Sequence, residues 1–355
     1  MSASHDQRLA RLREKMSAEG VDAFVVTSPA NVRYLSGFVG EGYLVVGKRD
    51  AVISTDGRYR VEAGEVAECG EALFHTGGHL AGAADGVHRF GSGAAAFEAE
   101  HLTYKAYRSL ADRLANIPLH PAEGWVEQLR VVKDDGEIAL IRVACEKIDE
   151  ALAAFLPGAD PGKTECQLAL ELQMAMVDLE TEPAFATIMA SGPSCARPHA
   201  VPCARVLCEA EMLKIDAGAR WMGYCSDITR TYYFGKPDEK FHEIYNLVRT
   251  AQQAAVEAAR PGLAGRELDA VARDPITAAG YGDEFGHGLG HGVGLEVHEA
   301  PRVSSRSEDK LQPGMVVTIE PGIYLEGWGG VRIEDTVLIT EDGCEILTHA
   351  PKADY

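Results

Sequence analysis

Leu9, Leu12 and Met16 recur three and four residues apart, a spacing that predicts an amphipathic helix over 6–18. Ala23-Phe24-Val25-Val26-Thr27 follows as an unbroken apolar run. Tyr43-Leu44-Val45-Val46 and Ala51-Val52-Ile53-Ser54 are two further runs, separated by a charged turn. Short runs bounded in this way read as buried strands. Gly77-Gly78 and the Gly/Ala-rich stretch 91–96 read as loop or helix-start material. Helix and strand signals alternate, so the first ~125 residues are expected to form a small α/β domain.

The pattern changes between Pro121 and Asp135. Asp134 or Asp135 can cap a long helix starting near Glu137, with Ile141, Cys145, Ile148, Leu152 and Phe155 as its apolar stripe. Pro157-Gly158 should end it. Thr164-x-x-Gln167 has the form of a capping box opening a second helix over 165–179. Phe241, Ile244, Val248 and Ala255 mark a third helix over 238–259, stopped at Pro261-Gly262. A fourth begins near Arg266, and Pro275 is expected to kink or shorten it. The polar motifs between and after these helices fall mostly on strand-like runs. The expected division is therefore 1–125 and 126–355, and the fold class is α+β.

Composition narrows the function classes. Across 355 residues, 34 Lys+Arg against 54 Asp+Glu leave a net charge of −20. That charge disfavours nonspecific binding to nucleic acid or anionic membranes. No apolar run is long enough to span a bilayer, and the polar N-terminus, with Arg8, Arg11 and Arg13, lacks a signal core. A cytoplasmic protein is the expectation. The eight cysteines form no Cys-x-x-Cys pair, so free buried thiols are expected, with a Cys203–Cys208 bridge left open.

Four acids stand in apolar, strand-like surroundings: Asp216 in Leu213-Lys214-Ile215-Asp216, Asp227 in Ser226-Asp227-Ile228-Thr229, Glu320 after Val317-Thr318-Ile319, and Glu334 in Val331-Arg332-Ile333-Glu334. An unpaired buried carboxylate is expensive and tends to protonate, and several together repel. Two divalent cations would neutralise four carboxylates, which favours a two-metal site over a one-metal site. Between the two pairs of acids runs Phe285–Glu299, where His287, His291 and His298 are interleaved with five glycines. Imidazole suits Mn, Co, Zn or Fe. A His-Glu-x-x-His helix is absent, since Pro301 follows His298-Glu299-Ala300. The glycines match neither a dinucleotide fingerprint nor a phosphate loop, and no Gly-x-Ser-x-Gly elbow occurs.

Taken in order, Ile215-Asp216-Ala217-Gly218, Ser226-Asp227-Ile228-Thr229-Arg230, Gly290-His291-Gly292-Val293-Gly294-Leu295, Val297-His298-Glu299, Ile319-Glu320-Pro321-Gly322 and Val331-Arg332-Ile333-Glu334-Asp335 resemble the pita-bread metallopeptidases. The nearest branch is that of the Xaa-Pro dipeptidases (prolidases) and Xaa-Pro aminopeptidases. Asn31-Val32-Arg33-Tyr34-Leu35-Ser36-Gly37-Phe38 and Thr55-Asp56-Gly57-Arg58-Tyr59 are similar to the creatinase/prolidase N-terminal domain. The resemblance covers nearly the whole chain. It implies a creatinase-like α/β domain ahead of a pita-bread catalytic domain. It also implies five metal ligands, Asp216, Asp227, His291, Glu320 and Glu334, for two divalent ions, with Mn, Co or Zn foremost. His298 matches the histidine that stabilises the tetrahedral intermediate, and His199, in Arg197-Pro198-His199-Ala200, a substrate-contacting histidine. His287 matches a further pocket histidine. Creatinases lack the metal ligands that are all present here. Methionine aminopeptidases usually lack this N-terminal domain.

The implied reaction is hydrolysis of an Xaa-Pro bond in a short proline-containing peptide, by a protein that is a homodimer in many relatives. Glu320 is the expected proton carrier, from water to the leaving proline nitrogen. Arg302 is a candidate to bind a dipeptide's C-terminal carboxylate. Arg332, two residues from Glu334, and Thr229, two from Asp227, are expected to share a strand face with those acids and orient them. A dipeptidase is slightly favoured. The alternatives are an aminopeptidase acting on longer peptides, a catalytically silent binding relative, and a C–N hydrolase with a nonpeptide substrate.

Overall fold

The structure is a computed structural model that describes residues 5–66, 70–91 and 93–355. The chain divides into two compact units, Met1–Arg130 and Val131–Tyr355.

The first unit is built on a six-stranded mixed sheet. Its spatial order is Glu71–Phe74, Ala51–Thr55, Tyr43–Gly47, Ala23–Val26, Ala95–Glu98, Leu119–Ala122. The two predicted hairpin strands pair antiparallel, Val45 opposite Val52, and Ala23–Val26 pairs antiparallel with Tyr43–Gly47. The helix His5–Ala18 buries Leu9, Leu12 and Met16. Glycine and alanine dominate 91–96, yet Ala95 and Ala96 are fully buried in a parallel strand beside Ala23 and Phe24. The expected loop holds at 91, 93 and 94 but fails at Ala95 and Ala96, where parallel pairing with Ala23–Val26 overrides the weak local preference of alanine. Gly78 precedes the helix His79–Arg89.

The second unit repeats one arrangement, a helix pair over an antiparallel sheet. Asp135–Phe155 and Glu165–Asp178 bury Ile148, Leu152, Leu168 and Leu172 against the sheet Ile188–Ser191, Glu211–Ala217, Ile228–Phe234. Both helices open on capping boxes, at Asp134/Glu137 and Thr164/Gln167. Glu239–Ala258 and Gly265–Ala278 cover the second sheet, whose order is Glu299–Val303, Gly290–Gly292, Val316–Ile319, Asp335–Ile339, Cys344–Ile346. Pro275 does not end its helix, which continues through it to Ala278. A proline near the C-terminal end of a helix disturbs few later hydrogen bonds. Among the described residues no helix is long and apolar enough to cross a membrane. Cys203 and Cys208 both carry free thiols, so they form no bridge. Cys166, Cys203 and Cys208 are exposed rather than buried; Cys69 lies outside the described residues.

Candidate active site

The two sheets of the second unit bring the singled-out acids together at strand ends. Asp216 is the one acid inside a strand, paired in register with Thr229. Asp227 precedes Ile228–Phe234, and Glu320 follows Val316–Ile319. Glu334 sits in the gap between Gly329–Arg332 and Asp335–Ile339. The expectation that Glu334 lies within one continuous strand is therefore corrected. Ile319 pairs with Asp335, so Glu320 leaves one strand where Glu334 leads into the next. His291 lies in Gly290–Gly292, opposite Arg302. Two glycines make that approach possible. A Cβ on Gly290 would lie 2.0 Å from the Thr318 carbonyl oxygen, and one on Gly292 would lie 2.1 Å from that of Ala300.

The result is a convergence of acceptors. One ligand atom each from Asp227, His291 and Glu334 lies within 4.8 Å of the other two. His291 Nε2 is 3.7 Å from Asp227 Oδ2 and 3.3 Å from Glu320 Oε1. Its Nδ1 faces the Gly292 carbonyl at 3.1 Å. A carbonyl can only accept, so Nδ1 carries a proton, and Nε2 is the ring nitrogen that faces the two carboxylates. Asp216 adds a buried Oδ1 with no hydrogen-bond partner. Only a proton or a cation relieves such a grouping, and both signs appear in the titration behaviour. Burial, then the neighbouring carboxylates Glu334, Asp216 and Glu320, push Asp227 well above the usual carboxylate range. Burial, then Glu320 and Asp216, do the same to Glu334. Burial would raise Glu320 as well, but the His291 hydrogen bond and the His291, His287 and Arg332 charges hold it at about 2. Burial works against His291, yet Glu320 raises it. An orphaned carboxylate oxygen and a ring nitrogen clustered with carboxylate oxygens fit a divalent cation with mixed nitrogen and oxygen ligands.

A ring of fixed donors surrounds the acids. Thr229 Oγ1 donates to Glu334 Oε2 at 2.6 Å and accepts from Arg332 Nε at 2.9 Å. Thr229 thus serves Glu334, not Asp227 as the strand alternation suggested. Arg332 likewise reaches Asp216 through Nη2, rather than Glu334, and its Nε lies 3.9 Å from Glu320. The chain turns between Arg332 and Glu334, so spacing by two no longer places them on one strand face. Thr318 Oγ1 donates to Glu320 Oε1 at 3.2 Å and accepts from the His291 amide at 3.1 Å.

The acids form the floor of a cavity of about 580 Å³. His199, His287, His298 and Arg302 line it together with Phe185, Ile188, Val201 and Val297. The rings of His291 and His298 are 4.3 Å apart, and burial, then the His291 charge, lower His298. His287 Nδ1 faces the Gly288 carbonyl at 2.8 Å, and its Nε2 is 2.9 Å from the Tyr324 hydroxyl. Both nitrogens of that ring are thus engaged within the protein. Tyr324, Thr318 and Lys214 are site neighbours that sequence reasoning missed. Lys214 could have been found, because a lysine two residues before Asp216 in an apolar strand carries the same burial cost that drew attention to the acids. Tyr324 reaches the site through the hairpin Gly322–Leu325/Gly329–Arg332, which no local pattern announces.

Residues 139–341 match metallopeptidase family M24, and residues 8–132 match the Creatinase/Prolidase N-terminal domain. The chain is 38% identical to an Xaa-Pro dipeptidase of Pyrococcus furiosus, over 96% of this chain and 97% of that one. The solved structure of an Xaa-Pro dipeptidase from Bacillus anthracis superposes with a TM-score of 0.95 at 39% identity, covering 99% of both chains. An X-Pro aminopeptidase from Thermotoga maritima superposes with a TM-score of 0.88 at 36% identity, covering 94% of this chain and 97% of that one. The chain belongs to metallopeptidase family M24, with a creatinase/prolidase N-terminal domain ahead of a pita-bread catalytic domain.

Proposed function

We propose that this enzyme hydrolyses the Xaa-Pro bond of dipeptides, with longer Xaa-Pro peptides as the second reading. The observation that carries the proposal is His291 Nε2 facing two carboxylates within a cavity that the other singled-out acids also line. The second reading has its own support, because the similar solved structures include an X-Pro aminopeptidase.

In this reading Asp216, Asp227, His291, Glu320 and Glu334 would hold two divalent ions. Mn, Co and Zn are the foremost candidates. When bound, such ions polarise the scissile carbonyl and lower the pKa of water. Glu320, fixed by Thr318, takes a proton from the attacking water and passes it to the proline nitrogen. His298 donates to the oxygen on which negative charge develops. His199 holds the substrate from the opposite wall, and His287 shapes the pocket. Arg302, exposed at the cavity wall, forms a two-pronged bond to the dipeptide's C-terminal carboxylate. As part of the same proposal, the protein works in the cytoplasm as a homodimer, an assembly that sedimentation equilibrium would test.

The deciding experiment is to strip the protein with chelator and resupply each divalent metal in turn, assaying Ala-Pro and Ala-Pro-Ala in parallel. Metal-dependent release of proline from Ala-Pro is expected, faster than cleavage of Ala-Pro-Ala. Faster cleavage of the tripeptide selects the aminopeptidase reading. No metal-dependent cleavage of either peptide rejects both.

A further inference from the structure

We infer that Lys214 is a positioning residue for His199, acting through the main chain of the cavity wall. Lys214 is fully buried, on the strand Glu211–Ala217. Its Nζ donates to the carbonyls of Cys195 at 3.1 Å, Arg197 at 2.7 Å and Pro198 at 3.4 Å. Arg332 Nη1 donates to the same Pro198 carbonyl at 3.2 Å. Residues 197–200 form neither helix nor strand, so these carbonyls have no ladder partner. Carbonyls outside a ladder need another donor, and here the Lys214 amino group is common to all three. The segment it grips leads directly into His199, Ala200, Val201 and Pro202, which line the cavity.

His199 itself makes no side-chain hydrogen bond to the protein among the described residues. The point from which that exposed ring reaches into the cavity is set by the backbone beneath it, and that backbone is held by Lys214. The Lys214 Nζ also lies 4.9 Å from the centre of the Tyr324 ring, which covers the amino group and fixes its direction.

The kinetic arm of the test rests on the peptidase reading above; the exchange arm does not. Lys214→Met keeps the stem and removes the donors. In that variant, loaded with metal to the wild-type level, hydrogen exchange of the Arg197 amide, which donates to the Ser194 carbonyl at 3.1 Å, should quicken about tenfold or more. KM for Ala-Pro should rise about tenfold with kcat within about twofold, the pattern of a lost substrate contact. In a His199→Ala background the same substitution should leave KM unchanged. Lys214→Gln, which retains an amide donor, should recover part of the effect and replaces the methionine variant if that one does not fold. Unchanged exchange of the Arg197 amide overturns the inference. So does an equal KM effect with and without His199, or loss of metal from the variant, which would place the role at Asp216. If the wild-type protein does not cleave Ala-Pro, the peptidase reading fails, and the exchange measurement still decides whether Lys214 holds the wall.

Discussion

His291 and Asp227 face each other across 3.7 Å, imidazole nitrogen to carboxylate oxygen, with the ring's other nitrogen turned to the Gly292 carbonyl. Two acceptors at that separation attract only if something positive lies between them or one of them is protonated. Asp227 is the natural place to test which, since it faces Glu334 as well as His291.

Asp227→Asn keeps the shape and removes one charge. The variant should lose bound metal and turnover together, measured by elemental analysis and proline release. The chelated protein, by contrast, should become more stable by about 1–3 kcal/mol, because a repelled, desolvated carboxylate has been neutralised. Thermal unfolding with and without chelator reads both effects. Retention of metal and activity would remove Asp227 from the ligand set.

Thr229→Val separates the ligands from their supports. Valine fills the same space but leaves Glu334 Oε2 and Arg332 Nε without the hydroxyl that now joins them at 2.6 and 2.9 Å. Losing such an outer-shell partner typically weakens metal binding about 10–100-fold. The unpaired buried groups should also destabilise the protein by about 1–3 kcal/mol. Metal titration and urea unfolding check the two numbers separately. Unaltered metal affinity would mean that Glu334 is oriented by its backbone alone.

Much of this arrangement was legible in the sequence, for reasons that differ from residue to residue. Helices were legible from spacing and caps: Asp134 and Thr164 both proved to be N-caps with reciprocal partners at Glu137 and Gln167. The acids were legible because charge in apolar runs is costly wherever it occurs. Their supports were less so. Arg332 and Thr229 were picked out as orienting residues, but alternation along one strand assigned them the wrong acids. The contacts that form cross between strands far apart in sequence, such as Thr229 to Glu334. The strand at Ala95–Glu98 was hidden because alanine and glycine signal little about their neighbours, while parallel pairing with Ala23–Val26 is a long-range fact.

Arg302 offers a test of substrate length. Its backbone is fixed opposite His291 in the sheet, while its side chain is exposed along the cavity. Arg302→Met removes the charge and keeps most of the length. KM for Ala-Pro should rise about tenfold or more, the loss expected for one charge-assisted contact to a carboxylate. KM for Ala-Pro-Ala, whose carboxylate lies one residue further out, should change much less. An equal effect on both peptides would reject the carboxylate-binding role.

The response of stability to pH follows from the same carboxylates. Burial and mutual repulsion raise Asp227 and Glu334 well above their ordinary values of 3.8 and 4.5. A group whose folded form binds its proton more tightly contributes stability that is full below the ordinary value. That contribution is lost as pH rises through the folded value. Chelated protein therefore loses this contribution progressively as pH rises above the ordinary values of 3.8 and 4.5. Loaded protein behaves oppositely, because ligands must be unprotonated to hold metal and acid releases it. Glu320, held at about 2, contributes stability present above 4.5 and lost as pH falls through about 2, below that range. His287, lowered chiefly by burial, opposes the carboxylates by favouring the folded state as pH rises through its ordinary 6.5, but it does so in both forms and cancels in their difference. The stabilisation conferred by metal should accordingly grow with pH across this range, reaching about 3–4 kcal/mol where metal exceeds its dissociation constant 100- to 1,000-fold. Paired urea titrations, loaded and chelated, measure the gap at each pH. A gap that stays constant would mean the acids do not bind the ion, since a site made of raised carboxylates has to exchange protons for metal.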